Sequence, residues 1–414
     1  MNSSQKFIFL VMALGFFMVT VAPDQKAEAM SQFSRKYKVE CSTCHIAFPR
    51  LNYFGQLFLR NGFQWPGEKP DGDTKGKEEI SENLVIDQVG NWLGARVVLT
   101  PLEYKTNART RNQKLEDTFD VGNTNFFNLF LAGSIFKNVS VFIESEFTTD
   151  SVEIEFFHLI FSNLWGKLVN FQVGVINPSE FASVSDGKRI FLKSDILNLK
   201  SSGGAGENSV NVRQSRPGIQ YYGYKGPFVL FGGLDNGKDA TDTDNDKNAW
   251  GGLRLEIPQL AKSYFEGSSV TYMYYTGQDT KGGVGLAGSP TFQIQNNFVR
   301  HTVSGNIRYK ENFDFQAVYQ FGRDDNYSLS AVPGKVEFHG YTLIGAYRSG
   351  NWWTVLQYDE IDSGDVSGIQ VSKLSPSLWY FLRDNFKVGL TSRLDVRGSG
   401  PAKHEFSMVM RAMF

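Results

Sequence analysis

The sequence predicts an all-β fold: a transmembrane barrel of about sixteen antiparallel strands, preceded by a short, partly helical N-terminal plug. Three observations predict it. Apolar and polar residues alternate with period two in one segment after another beyond residue 84, the pattern of strands with one face on lipid and the other on a polar interior. The spacers between those segments alternate short and long, as turns at one rim and loops at the other require. The composition supplies the interface and turn residues, with 35 Phe, 17 Tyr, 7 Trp and 41 Gly against only 13 Pro in 414 residues.

The expected strands are 87–104, 123–136, 139–147, 152–162, 168–175, 210–224, 228–234, 249–256, 268–275, 291–309, 313–322, 337–348, 352–360, 373–382, 386–396 and 404–414. In the fifth, Val169, Phe171, Val173 and Val175 share a face opposite Asn170, Gln172 and Gly174. In the last, Phe406, Met408, Met410, Ala412 and Phe414 lie opposite Ser407 and Arg411, and an aromatic ends an alternating strand. Lys137-Asn138, Asn163–Gly166, Lys225–Pro227, Lys310–Asn312, Ser349–Asn351 and Arg383–Asn385 are the tight turns, while 176–209, 235–248, 276–290 and 323–336 read as long loops. An even strand number brings both barrel ends to the short-turn rim, which is the periplasmic side of an outer-membrane barrel. Tyr221, Tyr222, Tyr224, Trp352 and Trp353 gather at segment ends, where an aromatic girdle belongs.

Other classes fit less well. A formal net charge of −1 offers no basic field for nucleic acid. No apolar run of about 18 residues follows Ala29, so no helix is expected to span a membrane. No motif repeats at a fixed period, which argues against propellers and solenoids. The sequence carries no Ser-His-Asp signal, phosphate-binding Gly loop or zinc-spaced cluster.

The first 29 residues read as a signal peptide, with Lys6 ahead of an apolar Phe7–Ala22 run and an A-x-A-like site at Ala27-Glu28-Ala29. The expected organisation is therefore a signal peptide at 1–29, an N-terminal segment and linker at 30–83, and the barrel at 84–414. Pro66–Glu82, rich in Gly, Pro, Lys, Asp and Glu, reads as the linker.

Cys41-Ser42-Thr43-Cys44-His45 contains the only two cysteines of the chain. C-x-x-C-H is the attachment pattern of c-type haem: two thioethers clamp the porphyrin edge, and the adjacent His is placed to ligate the iron. The expected cofactor is one covalent haem c, held by Cys41 and Cys44 with His45 as proximal ligand. Downstream, only about 46–65 has an ordered pattern. Pro49 is expected to open a helix and Asn61-Gly62 to stop it. Its stripe of Leu51, Phe54 and Phe58, beside Leu57, is too small to bury itself, so Phe54 and Phe58 are expected to pack on the haem and the segment to plug or cap the barrel mouth.

Cys41–His45, Phe48-Pro49-Arg50-Leu51-Asn52-Tyr53-Phe54-Gly55 and Asn61-Gly62-Phe63 resemble the N-terminal block of the fused monohaem cytochrome–porins, which include outer-membrane cytochromes of Fe(II)-oxidising bacteria. The resemblance implies a bacterial outer-membrane electron conduit. It would take electrons from extracellular Fe(II) and pass them to a periplasmic c-type cytochrome. The alternatives are electron release to an external acceptor, and a solute porin whose haem plug is structural or sensory.

The sixth iron position has no obvious partner in the N-terminal segment, where Met30 is the one Met and no second His lies. Of the barrel histidines, His158 is the distal candidate. It precedes the turn at Asn163, and it faces the lumen if Phe157, Leu159 and Phe161 face lipid. That register sends Glu155 to the lipid side. His301 shares a face with Val299, Val303 and Ile307 and is expected to face lipid, while His339 and His404 fall near loop ends. An open or water-ligated sixth site is the other option. The acidic stretches at 238–246, Asp324-Asp325 and 359–365 offer hard oxygen ligands to Fe(II), or are solvated loops.

Overall fold

The computed structural model describes residues 32–66, 78–81, 84–86, 89–106, 109–110, 113–114, 117–136, 138–184, 196–197, 211–237, 247–257, 264–282, 293–310, 312–326, 334–362, 370–398 and 403–414. The expected signal peptide, Met30, most of the linker and the acidic loop at 238–246 fall outside them.

Sixteen antiparallel strands close into one barrel. They are β1 (Leu93–Lys105), β2 (Thr118–Phe136), β3 (Val139–Phe147), β4 (Val152–Phe161), β5 (Asn170–Ile176), β6 (Arg216–Lys225), β7 (Phe228–Asp235) and β8 (Asn248–Glu256), then β9 (Ser269–Gly282), β10 (Gln293–Tyr309), β11 (Phe313–Asp324), β12 (Val336–Ser349), β13 (Trp352–Asp362), β14 (Gln370–Arg383), β15 (Phe386–Gly398) and β16 (His404–Met413). Each strand pairs with its sequence neighbour, and β16 returns to β1, with Met413 opposite Arg96 and Ala412 opposite Val97. Phe414 finishes the seam: Ala95 N–H donates to its carbonyl at 2.6 Å, and its own N–H donates to Ala95 O at 2.9 Å. Closure removes every sheet edge, which a spanning structure in hydrocarbon requires.

The alternation holds around the wall. Along β10, Val303 and Ile307 are exposed, while Thr302, Ser304, Asn306 and Arg308 are buried in the bore. His301 lies on the outer face as expected, bonded through Nδ1 to the Tyr272 hydroxyl at 2.8 Å and stacked on Phe321. Ile219, Leu230, Leu234, Phe313, Phe315 and Leu356 continue the apolar exterior. Among the described residues no helix is long and apolar enough to cross a membrane.

Three expectations change. The barrel wall begins at Leu93 rather than near 84; Glu78–Ser81 and Leu84–Ile86 form a separate small hairpin. The aromatic clusters are divided between the two faces, because adjacent strand residues point oppositely. Tyr221 and Trp352 face outward, whereas Tyr222, Tyr224 and Trp353 are buried inside. The segment after β5, expected as an outer loop, turns inward over its described start. Phe181 stacks on Tyr222 with ring centroids 4.3 Å apart, and Ser183 bonds Thr271 and Ser269 of β9 at 2.8 Å. Ile196 O accepts from Gln320 Nε2 at 3.1 Å.

Among the described residues, chain segments thus occupy part of the bore. Its short-turn end holds residues 32–66. These form helix α1 (Gln32–Tyr37), a one-turn helix over Cys41–Thr43, a two-strand ladder pairing His45 with Leu51, and helix α2 (Tyr53–Arg60). More of the segment is ordered than its pattern suggests, since α1 was not expected. Phe33 and Tyr37 of α1 pack edge-on against Phe58 at 5.0 and 5.5 Å, supplying the apolar partner that α2 lacks alone. Pro49 does not open α2. It lies in the turn of the ladder, and Asn52 is the cap: its Oδ1 accepts from Gly55 N–H at 2.8 Å. The helix stops as expected, with Asn61 as C-cap and Gly62 at φ +65°.

Candidate cofactor site

The plug is anchored by charge as well as by apolar contact. Arg50 meets Asp314 of β11 at 2.5 Å, and Arg60 makes two bonds to Glu256 of β8 at 2.8 and 3.0 Å, all four side chains being buried. Arg254 Nη2 donates to Gln56 Oε1 at 2.5 Å. Backbone carbonyls of the plug are taken by the wall. Arg308 donates to Leu51 O at 2.6 Å, Lys387 to Phe48 O at 2.5 Å, Tyr222 to Arg60 O at 2.9 Å and Ser140 to Gly62 O at 2.5 Å, while Arg348 donates to Ile46 O. The wall residues sit next to the tight turns, so the segment occupies the mouth that those turns surround.

Between plug and wall lies a cavity with about 1720 Å³ of empty space, its open side included. Cys41, Cys44 and His45 line it from the plug, together with Phe33, Tyr37, Phe48, Phe58 and Trp65. Phe130, Phe142, Phe156 and His158 line it from β2, β3 and β4. Charged groups at its border include Arg96, Glu144, Glu155 and Asp384. Arg96 bonds Glu144 at 2.7 Å.

Both cysteines are free thiols. Burial raises the Cys41 thiol above its ordinary range and pushes the Cys44 thiol up to about 11, with Cys41 adding to the latter. Burial lowers the His45 imidazole to about 4. The pair is therefore protonated and the imidazole neutral at ordinary pH. The His45 Nδ1–H donates to Pro49 O at 3.2 Å, which leaves Nε2 with the lone pair. A carbonyl on the far ring nitrogen is the usual way a protein orients a metal-binding His.

The structure brings Cys41, Cys44, His45, Phe58 and His158 to one cavity. Phe54, expected to pack on the haem, is not among the residues lining the cavity; its ring lies 4.8 Å from that of Trp65. His158 is only 3% exposed and faces the bore. Glu155 does not go to lipid: a bulge sets Ile154 opposite Ser145 but Phe156 opposite Glu144, and the extra residue, Glu155, borders the cavity. Sequence reasoning missed α1 and the wall aromatics. The i, i+4 spacing of Phe33 and Tyr37 was the available signal for the first, and none existed for the second.

The acidic residues fare differently. Asp324 is buried and accepts two hydrogen bonds from Arg300 Nη2, both at 2.9 Å, and Asp359 is buried and accepts from Thr342 and Gln357. These two carboxylates are tied into the buried face of the wall and do not lie in solvated loops. No group of three or more His, Cys, Asp or Glu positioned for a metal occurs among the described residues.

No protein-family model and no curated protein matches the chain. Solved structures do. The anion-selective porin of Comamonas acidovorans aligns with TM-score 0.55 at 11% identity, over 78% of this chain and 99% of its own. The outer-membrane channel DcaP of Acinetobacter baumannii gives 0.54 at 14% identity, over 78% and 96%. OmpF of Salmonella typhi, solved with daunomycin, gives 0.52 at 11% identity, over 78% and 97%. The barrel has the fold of these outer-membrane porins. At such identities the likeness concerns the fold alone.

Proposed function

We propose that this porin-type barrel is an electron conduit of the bacterial outer membrane, built around one haem c attached to its plug. One observation carries the reading: both thiols of the C-x-x-C-H motif and its imidazole line a single cavity, rich in aromatic side chains, between plug and wall. A cavity rich in aromatic rings suits a flat, mostly apolar macrocycle, and half-buried thiols outside any disulfide, beside a neutral, oriented imidazole, suit its attachment and ligation. Bound haem supplies one-electron chemistry. Cys41 and Cys44 would form the thioethers, His45 Nε2 would face the iron, and Phe58 and the wall aromatics would exclude water. The short-turn mouth, with both barrel ends, is then the periplasmic side, where a c-type cytochrome would accept electrons donated by extracellular Fe(II).

The test is direct. Purified chain should keep a covalent haem stain after denaturing electrophoresis, and mixing with excess Fe(II) anaerobically should reduce it within milliseconds to seconds. Haem that stays oxidised under excess Fe(II) at working pH removes the Fe(II) role.

A second reading is favoured by the likeness to porins: a solute channel whose haem plug is structural or sensory. Planar-bilayer recordings separate the two. Steady single-channel conductance of the complete chain supports the channel; a sealed barrel supports the conduit.

A further inference from the structure

We infer that His158 is the second axial ligand, so that the iron is held between two imidazoles, one from the plug and one from the barrel wall. The inference rests on the haem reading above and deepens it. Four observations carry it.

First, His158 and His45 line the same cavity from opposite partners, the wall strand β4 and the plug. Second, the two rings are prepared alike. His158 Nδ1–H donates to Val175 O at 3.1 Å, as His45 donates to Pro49 O at 3.2 Å, so each keeps its Nε2 lone pair. Third, His158 is nearly fully buried among aromatics, with the Phe142 ring at 5.6 Å and the Phe156 ring at 6.2 Å. A buried imidazole with one nitrogen used invites a partner for the other.

Fourth, the opposing strand makes room for it. Gly174 pairs with His158 and has φ +132°. A Cβ there would collide with the Phe157 carbonyl and stand 2.8 Å from His158 Cα. The glycine lets β5 approach β4 closely enough for the Val175 carbonyl to orient the ring. Met413 also lines the cavity. It is half-buried at the rim end of β16, where its backbone is tied to Asn385 in both directions: its N–H donates to Asn385 O at 2.9 Å and its carbonyl accepts from Asn385 Nδ2 at 2.9 Å.

The consequence is mechanical as well as electronic. Ligation from the wall would tie plug to barrel through the iron, and bis-imidazole ligation sets a lower potential than His/Met.

The experiment is electron paramagnetic resonance and optical spectroscopy of the oxidised holoprotein, wild type and variants. Wild type should show a low-spin bis-imidazole signal and no long-wavelength Met–iron band. His158→Ala should lose the low-spin signal, and free imidazole should restore it. His158→Met should gain the Met–iron band and a raised midpoint potential. Gly174→Ala should shift part of the population to high spin. Should His158→Ala fail to fold, as judged by heat-modifiable gel mobility, the wild-type spectrum decides alone. A Met–iron band in wild type that vanishes in Met413→Leu overturns the proposal, as does a high-spin wild type or an unchanged His158→Ala spectrum. Wild-type chain with no covalent haem overturns the underlying reading, and the ligand with it.

Discussion

Arg50 and Asp314 lie 264 positions apart in the chain and meet as a buried pair, Nε to Oδ2 at 2.5 Å and Nη2 to Oδ1 at 3.2 Å. Arg50 belongs to the plug and Asp314 to β11. Removing one member of such a pair strands a desolvated charge, at a cost of about 3–5 kcal/mol. Asp314→Ala should therefore loosen the plug while the barrel stays closed. Protease should cut within residues 32–66 in the variant and spare them in wild type, with heat-modifiable mobility retained. Replacing both partners with apolar residues should recover much of the loss, since the stranded charge is gone.

Asn52 links α2 to the cysteine loop. Its Oδ1 caps the helix at Gly55 N–H, and its Nδ2 donates to Ser42 O at 3.1 Å and Thr43 O at 2.9 Å. Asn52→Ala should cost about 0.5–2 kcal/mol from the cap alone. Asn52→Asp keeps the cap and loses the two donations. Denaturant titration followed at the Soret band should place Asn52→Asp between wild type and Asn52→Ala; a variant as stable as wild type would remove the linking role.

Gly55 faces the motif at contact distance. A Cβ at this position would press into the Cys44 carbonyl and stand 3.0 Å from Leu51 Cδ2. Gly55→Ala should push α2 away from Cys44 at about 1–3 kcal/mol. The measurable result is a lower haem-to-protein ratio in purified chain, together with a lower unfolding midpoint.

Lys387 is buried 4.5 Å from the rings of both Trp353 and Trp379 and donates to Phe48 O at 2.5 Å. Lys387→Met keeps much of the side-chain volume but deprives that carbonyl of its donor, which costs about 1–3 kcal/mol if the group stays buried. Phe48 adjoins the ladder that carries His45. Hydrogen exchange of residues 45–51 should accelerate in Lys387→Met while exchange in β13 and β14 stays at the wild-type rate. Equal protection of 45–51 in both chains would show that the Lys387 side chain does not hold the ladder.

Little of the site's enclosure was legible before the fold was known. The motif named the thiols and His45 because covalent attachment demands fixed spacing, and alternation put His158 on the bore side. The bulge at Glu155 was invisible, since one extra residue in a strand leaves no mark on composition. The inward turn of Phe181 and Ser183 was hidden for a related reason: in a long stretch of mostly polar residues, a few apolar side chains that pack inside the bore leave no periodic pattern.

Alternation and turn spacing, by themselves, determined the sixteen-strand barrel, because a strand between lipid and a polar bore must repeat every two residues. The local motif likewise marked Cys41, Cys44 and His45 as the residues to which the proposed haem would attach. Only the tertiary structure decided that Arg50, Arg60, Tyr222 and Lys387 clasp the plug and that His45 and His158 share a cavity. Those partners come from elements far apart in the chain, and their meeting depends on the register of closure, which no local pattern encodes.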